Sequence, residues 1–193
     1  MLSTRTGATM HTLTDEPILN RLRFAGWTAA GLLLLAPLVA MQFTTEVNWT
    51  ASDFGVFAAM LLLAGGACEL GLRLSRSWPY RIGMAVAVGT AFLLVWVNLA
   101  VGVIGSENND INAVFVGVLL LGVIGSALAR LRAPGMSLAM TATGTAQACV
   151  AIVVVLLGSV RVAMFIGVFA ALWLLSAWLF RRAAQGGSAH ATS

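Results

Sequence analysis

The sequence predicts an all-α fold, a bundle of six transmembrane helices with the N- and C-termini both on the cytoplasmic side. Three observations predict it. Hydrophobic residues make up 60% of the 193 and charged residues only 9%. A soluble domain carries about a quarter charged residues, so this chain has too little polar surface to face water. The apolar residues fall into runs of about twenty, the length a helix needs to cross a hydrocarbon core ~30 Å thick. Finally, the arginines sit singly or in pairs at the ends of those runs. On a six-span reading ten of the eleven fall on one side, and only Arg161 lies opposite, beside Glu46, Asp53, Glu107 and Asp110. An arginine excess marks the cytoplasmic side.

Residues 1–20 are polar, threonine-rich and without hydrophobic periodicity, and they read as a flexible cytoplasmic tail. Thr14-Asp15-Glu16-Pro17 could start a short interfacial helix there. Arg21 and Arg23 then precede a first span, Phe24 to Phe43. A cleaved signal peptide is the rival reading, since Ala36-Pro-Leu-Val-Ala40 resembles a processing site. Leu38 stands where the second small residue is required, and the run is long enough to span, so a retained helix is preferred. Trp49 is placed as an interfacial anchor, and Ser52 or Asp53 as the cap of a second span, Phe54 to Leu72.

Trp78-Pro79-Tyr80 forms an aromatic belt among Arg73, Arg76 and Arg81. The third span runs from Ile82 to Ile104 and the fourth from Ile111 to Ala129, with Pro134-Gly135 making the next turn. The fifth is Met136 to Leu157. A tight corner at Gly158-Ser159-Val160-Arg161 leads to the sixth, Val162 to Phe180. Merging the last two into one helix would give a run far longer than a bilayer, broken by an arginine. The transmembrane domain thus covers residues 21–182, and 183–193 reads as a disordered cytoplasmic tail.

An internal repeat is a further expectation. Val56-Phe57 with Leu61-Leu-Leu63 matches Val114-Phe115 with Leu119-Leu-Leu121, and Gly89-Thr90-Ala91 matches Gly144-Thr145-Ala146. A parallel repeat of two hairpins, helices two–three and four–five, would give this pattern. So would coincidence in low-complexity apolar sequence.

Several activities are excluded or disfavoured by residue type. Lysine is absent, which removes Schiff-base and Ser–Lys chemistry. His11 and His190 lie in the tails, away from any intramembrane haem. No Gly-x-Ser-x-Gly elbow, paired intramembrane aspartates, Walker loop or dinucleotide fingerprint occurs, so an enzyme is not expected. Cys68 and Cys149 lie inside apolar runs as small hydrophobes. No cofactor or metal is expected, and the scattered arginines offer no nucleic-acid face.

The polar residues that remain are the candidates for function. Glu69 is the one acid set within an apolar run. It reads either as an i,i+4 partner of Arg73 at the inner interface or as a buried proton or cation site. Asn98 and Gln147 are intramembrane amides. They serve either as interhelical hydrogen-bond groups or as the lining of a solute path, with Thr141, Thr143 and Thr145 nearby. Glu107, Asn108 and Asp110 form an outer loop of hard oxygen ligands, although Asp110 or Asn112 is equally explained as a helix N-cap. Small residues at four-residue spacing, notably Ala85/Gly89 and Ala142/Ala146, favour close helix packing within a bundle or a dimer.

The segment Phe92 to Asn108, with its Trp96, Asn98, Gly102, Gly105 and Glu107, together with Val47-Asn48-Trp49 and Asp53-Phe54, resembles a pattern in small, uncharacterised bacterial polytopic inner-membrane proteins. The resemblance covers about a third of the chain and implies a bacterial inner-membrane location and a role for the Trp96/Asn98/Glu107/Asn108 corner. It implies no activity. The expected partners are the lipid bilayer and either another membrane protein or a second copy of the chain. The alternative is a small-solute or ion transporter using Asn98, Gln147 and Glu69.

Overall fold

The structure is a computed structural model that describes the backbone of residues 5–100, 103 and 112–189, and the side chains of 17–100, 103 and 112–186. Six α-helices and no strand occur among the described residues: α1 (Arg5–Ala40), α2 (Ala51–Leu74), α3 (Trp78–Ala100), α4 (Ala113–Leu128), α5 (Ala133–Leu156) and α6 (Val160–Ala189). Five contain segments long and apolar enough to cross a membrane. At 1.5 Å per residue the 16 residues of α4 reach about 24 Å, so by length alone α4 is the exception. The outer helices run further than expected. α1 starts at Arg5, within the segment read as a tail, and its apolar part begins at Pro17. α6 continues past Arg182 to Ala189.

The chain divides into two compact units, Met1–Glu69 and Leu70–Ser193. In the first, the start of α2 is set by its own residues. The Thr50 backbone N–H and hydroxyl both donate to the Asp53 carboxylate at 2.7 Å, while the Asp53 N–H points back at the Thr50 hydroxyl, 3.4 Å away. This is a capping box, with Thr50 rather than Ser52 or Asp53 at the N-cap. Trp49, just before the cap, packs edge-on against Phe54 at 5.2 Å and Phe57 at 5.4 Å. The Trp49–Phe54 contact is the hydrophobic staple that fixes the angle at which the chain enters a helix.

In the second unit α6 is central, packing on α5 and on α3, while α4 packs on α5. The buried face of α6 is Ala163, Ile166, Ala170, Trp173, Ala177 and Phe180. That alternating three- and four-residue spacing is the seam of left-handed helix packing. The opposite face, with Met164, Phe165, Val168, Leu175 and Trp178, is as apolar as the seam and exposed, as a helix facing lipid must be. The closest approaches occur at glycine. A Cβ on Gly83 would lie 3.2 Å from Leu179, one on Gly144 3.0 Å from Leu174, and one on Gly125 2.9 Å from Ala139.

Both turns of this unit are explained by backbone bonds. At the α5–α6 corner Gly158 takes φ +85°, with Gly158 N–H on the Val155 carbonyl and Ser159 N–H on that of Val154. This is a Schellman ending, which needs a left-handed residue. The α4–α5 turn is made at Arg130 and Leu131, both left-handed at φ 49° and 56°, and not at Pro134-Gly135, which fall in the first turn of α5. Gly135 there lets Ala129 approach, since a Cβ would sit 2.6 Å from its methyl.

Two outcomes test this packing by thermal unfolding in detergent. Thr50→Ala removes the hydroxyl's bonds to Asp53, leaves the backbone N–H on the carboxylate, and lowers stability by about 1 kcal/mol. Gly144→Val overpacks the α5–α6 seam and lowers it by about 1–3 kcal/mol, whereas Gly89→Val, whose Cβ would meet nothing within 4 Å, leaves the monomer's unfolding unchanged.

Candidate functional site

In a lipid-embedded chain the places to look are polar atoms inside, because hydrocarbon offers them no alternative partner. The second unit answers its interior hydroxyls with backbone carbonyls, three of them on other parts of the chain. Ser137 of α5 donates to the Ala177 carbonyl of α6 at 2.9 Å, and Ser176 of α6 to the Gly83 carbonyl of α3 at 2.8 Å. Tyr80, the chain's only tyrosine, donates to the Leu131 carbonyl at 2.6 Å. Its ring packs edge-on against Phe180 at 5.1 Å and it is 3% exposed, so it belongs to the core and not to an aromatic belt.

These contacts gather one end of the unit. Tyr80 ties the start of α3 to the turn carrying Arg130 and Arg132, and to the end of α6 before Arg181 and Arg182. Arg81 is buried beside it, donating to the Ser75 carbonyl at 2.8 Å and the Leu72 carbonyl at 3.5 Å, where it answers orphan groups at the α2 terminus. Arg81 also lies over Trp78, and Arg182 over Trp178, at 5.6 and 4.7 Å from the ring centroids.

The polar residues of α5 separate onto two faces. Thr141 and Thr145 are exposed and donate to carbonyls four residues back, those of Ser137 and Thr141. Thr143 is buried and bonded in the same way to Ala139. Gln147, one turn further along the inward face, is 0% exposed, and neither its amide nitrogen nor its oxygen has a hydrogen-bond partner. The Trp173 indole N–H and the Asn98 Oδ1 are also buried without partners, while the Asn98 amide N–H donates to the Leu94 carbonyl at 2.8 Å.

The remaining expected site residues do not gather round Gln147. Glu69, in the first unit, pairs with Arg23 of α1 at 2.6 Å, a partner that helical spacing does not reach. The carboxylate is 17% exposed and the guanidinium 43%, so the pair is partly screened. Four residues further along α1, Trp27 lies over Gly65, four residues back on α2; a Cβ there would be 2.9 Å from the indole. Glu107, Asn108 and Asp110 lie outside the described residues. Asn112 occupies the N-cap of α4 without capping it, its Oδ1 accepting the Val103 N–H at 3.2 Å. Of the small-residue pairs, Ala85 and Ala142 are exposed and Gly89 meets nothing within 4 Å, so within the chain the close approaches fall to other glycines, among them Gly65, Gly71, Gly83, Gly125 and Gly144.

Sequence reasoning picked out Gln147 and Asn98 as amides in apolar runs, but it missed Trp173, Tyr80, Ser137 and Ser176. The signal for the two serines was their presence in such runs. Nothing in sequence distinguishes the inward Trp173 from the outward Trp178. Among the described residues no group of three His, Cys, Asp or Glu is placed to hold a metal ion. No known protein family, curated protein or solved structure matches this chain.

Two measurements follow. Tyr80→Phe keeps the ring and removes the bond to Leu131, lowering stability by about 1 kcal/mol, while Arg130→Gly relieves a left-handed residue and raises it by about as much. Glu69→Gln changes stability by less than about 1 kcal/mol. In the same assay, charge reversal at Glu69 alone is more damaging than reversal at Arg23 and Glu69 together.

Proposed function

We propose that this integral membrane protein is non-catalytic and acts through helix–helix contacts with partner membrane proteins or with its own copies. The observation that supports it best is the division of small residues between two faces. Gly83, Gly125 and Gly144 are used inside the chain, whereas Ala85, Gly89, Ala142 and Ala146 are left exposed or half-buried on faces where another helix can approach. The interior polar groups fit the same reading, since Ser137 and Ser176 join helices of one chain and Tyr80 joins α3 to the α4–α5 turn.

We place it in a bacterial inner membrane with both termini cytoplasmic. The location rests on the resemblance around Trp96 and Asn98. The orientation rests on the arginines: Tyr80 and Arg81 draw Arg76, Arg130, Arg132, Arg181 and Arg182 to one end of the second unit, with Arg161 beyond the far corner. That arrangement supports counting α4 as a crossing despite its length, because it runs from the far end back to the arginine end.

A transporter or channel is the second reading. It is favoured by the unpartnered amide atoms of Gln147 and Asn98 and by the sequence repeat, in which Phe57 and Phe115 occupy matching positions and are both buried. The repeat is uneven, since Thr90 is buried and its counterpart Thr145 exposed. Thr141 and Thr145 also point away from Gln147.

Co-purification in mild detergent with mass spectrometry separates the two. Contact predicts a stoichiometric partner or dimer that Ala85→Leu or Ala142→Leu weakens at least tenfold while the melting temperature of the isolated chain holds. An isolated monomer, with solute flux in vesicles that Gln147→Leu abolishes, would replace this reading with transport.

A further inference from the structure

We propose that Gln147 and Trp173 together form a buried seat for one small neutral hydrogen-bonding molecule, water being the smallest that fits, inside the second unit. Three groups carry the inference: the Gln147 amide N–H₂, its carbonyl oxygen and the Trp173 indole N–H. All three are buried, on side chains 0% and 3% exposed, and none has a hydrogen-bond partner in the protein. Tryptophan and glutamine this deep ordinarily find partners, because an unanswered donor or acceptor in a dry interior loses its hydration with no return.

The helix geometry directs these groups toward one another. Trp173 stands opposite Gly144, whose Cβ would lie 3.1 Å from the Trp173 Cβ. Gln147 is three residues along α5 toward the Gly158 corner, about 4.5 Å of axial rise. Side chains on a helix lean toward its N-terminus. On α5 that lean brings Gln147 back toward the level of Gly144. On α6, which runs the opposite way after the corner, it carries Trp173 forward toward Gln147. Gly144, with no side chain of its own, adds no polar group to compete with them.

The donors and acceptor define the occupant's chemistry. It must accept from an amide and an indole and donate to a carbonyl, which suits water or a comparably small alcohol and does not suit an ion, since no charged group faces the seat from α5 or α6. Buried waters typically make about three such bonds to groups the fold has left unanswered. Ser137, Ser176 and Thr143 do not compete, each being already bonded to a carbonyl. The seat is independent of how the protein functions, by contact or by transport.

Solid-state NMR of the full chain in lipid bilayers tests it, with magnetisation passed from bulk water to the protein. Leu172-Trp173 is the only Leu–Trp step in the sequence, so carbon-labelled leucine with nitrogen-labelled tryptophan identifies Trp173 among the six tryptophans. The expected result is water transfer to the Trp173 indole at least threefold above that of backbone amides at Leu94 and Ile166 in the dry core. Gln147→Leu should reduce it to their level. No excess transfer in the wild-type chain overturns the proposal without recourse to a variant. Excess transfer that survives Gln147→Leu in a folded chain also overturns it, by showing that Gln147 has no share in the seat.

Discussion

Lipid supplies no hydrophobic drive for one apolar helix to join another, so the second unit must be held by short-range packing and by hydrogen bonds that hydrocarbon makes hard to replace. The structure depends on this constraint. Its α6 seam alternates large side chains with alanine, helices approach closely at Gly71, Gly83, Gly125 and Gly144, and Ser137 and Ser176 donate to carbonyls of neighbouring helices. Each such bond is modest alone, about 0.6 kcal/mol on average in measured membrane cases. Their effect is to choose one register among many that apolar packing would tolerate, and Ser137 and Ser176 do so on both flanks of α6.

Tyr80 applies the same logic to a turn. Two successive left-handed residues, Arg130 and Leu131, are unfavourable for side chains with a Cβ, by roughly 1–2 kcal/mol each. The turn persists because Leu131 N–H meets the Ser126 carbonyl, Ala129 packs into the gap at Gly135, and the tyrosine hydroxyl takes the Leu131 carbonyl. The outcome is an arginine-bearing turn tied to the start of α3, where Arg81 bonds the end of α2.

How much of this was legible in sequence follows from the range of each interaction. Helix positions and the Gly158 corner were readable because run length and a left-handed glycine are local signals. The α2 cap was misassigned to Ser52 or Asp53, although Thr50 and Asp53 carry the capping-box spacing, because any of three neighbouring polar residues could serve. The extra helix at Arg5 could not be read from hydropathy, which marks where lipid begins and not where helix begins. The pairing of Glu69 with Arg23 was not legible because sequence spacing sees only neighbours one turn away; Arg23 is 46 positions distant and becomes a neighbour only when α1 lies against α2. Inward and outward faces were the least legible. Where both sides of a helix are apolar, amphipathic period gives no direction, so Ala85 and Gly89 could not be separated from Gly83, nor Trp173 from Trp178.

The pairing of Arg23 with Glu69 also bears on how the chain enters the bilayer during synthesis. α1 precedes α2 in the chain and carries Arg23 near the start of its apolar part. When α2 follows, its glutamate meets that arginine, while Trp27 lies on the bare backbone of Gly65 one turn deeper. Opposite charges thereby cancel at a shared depth, and α2 partitions more readily beside α1 than it could by itself. With charges placed this way, entering lipid as a hairpin costs the two helices less than entering one at a time.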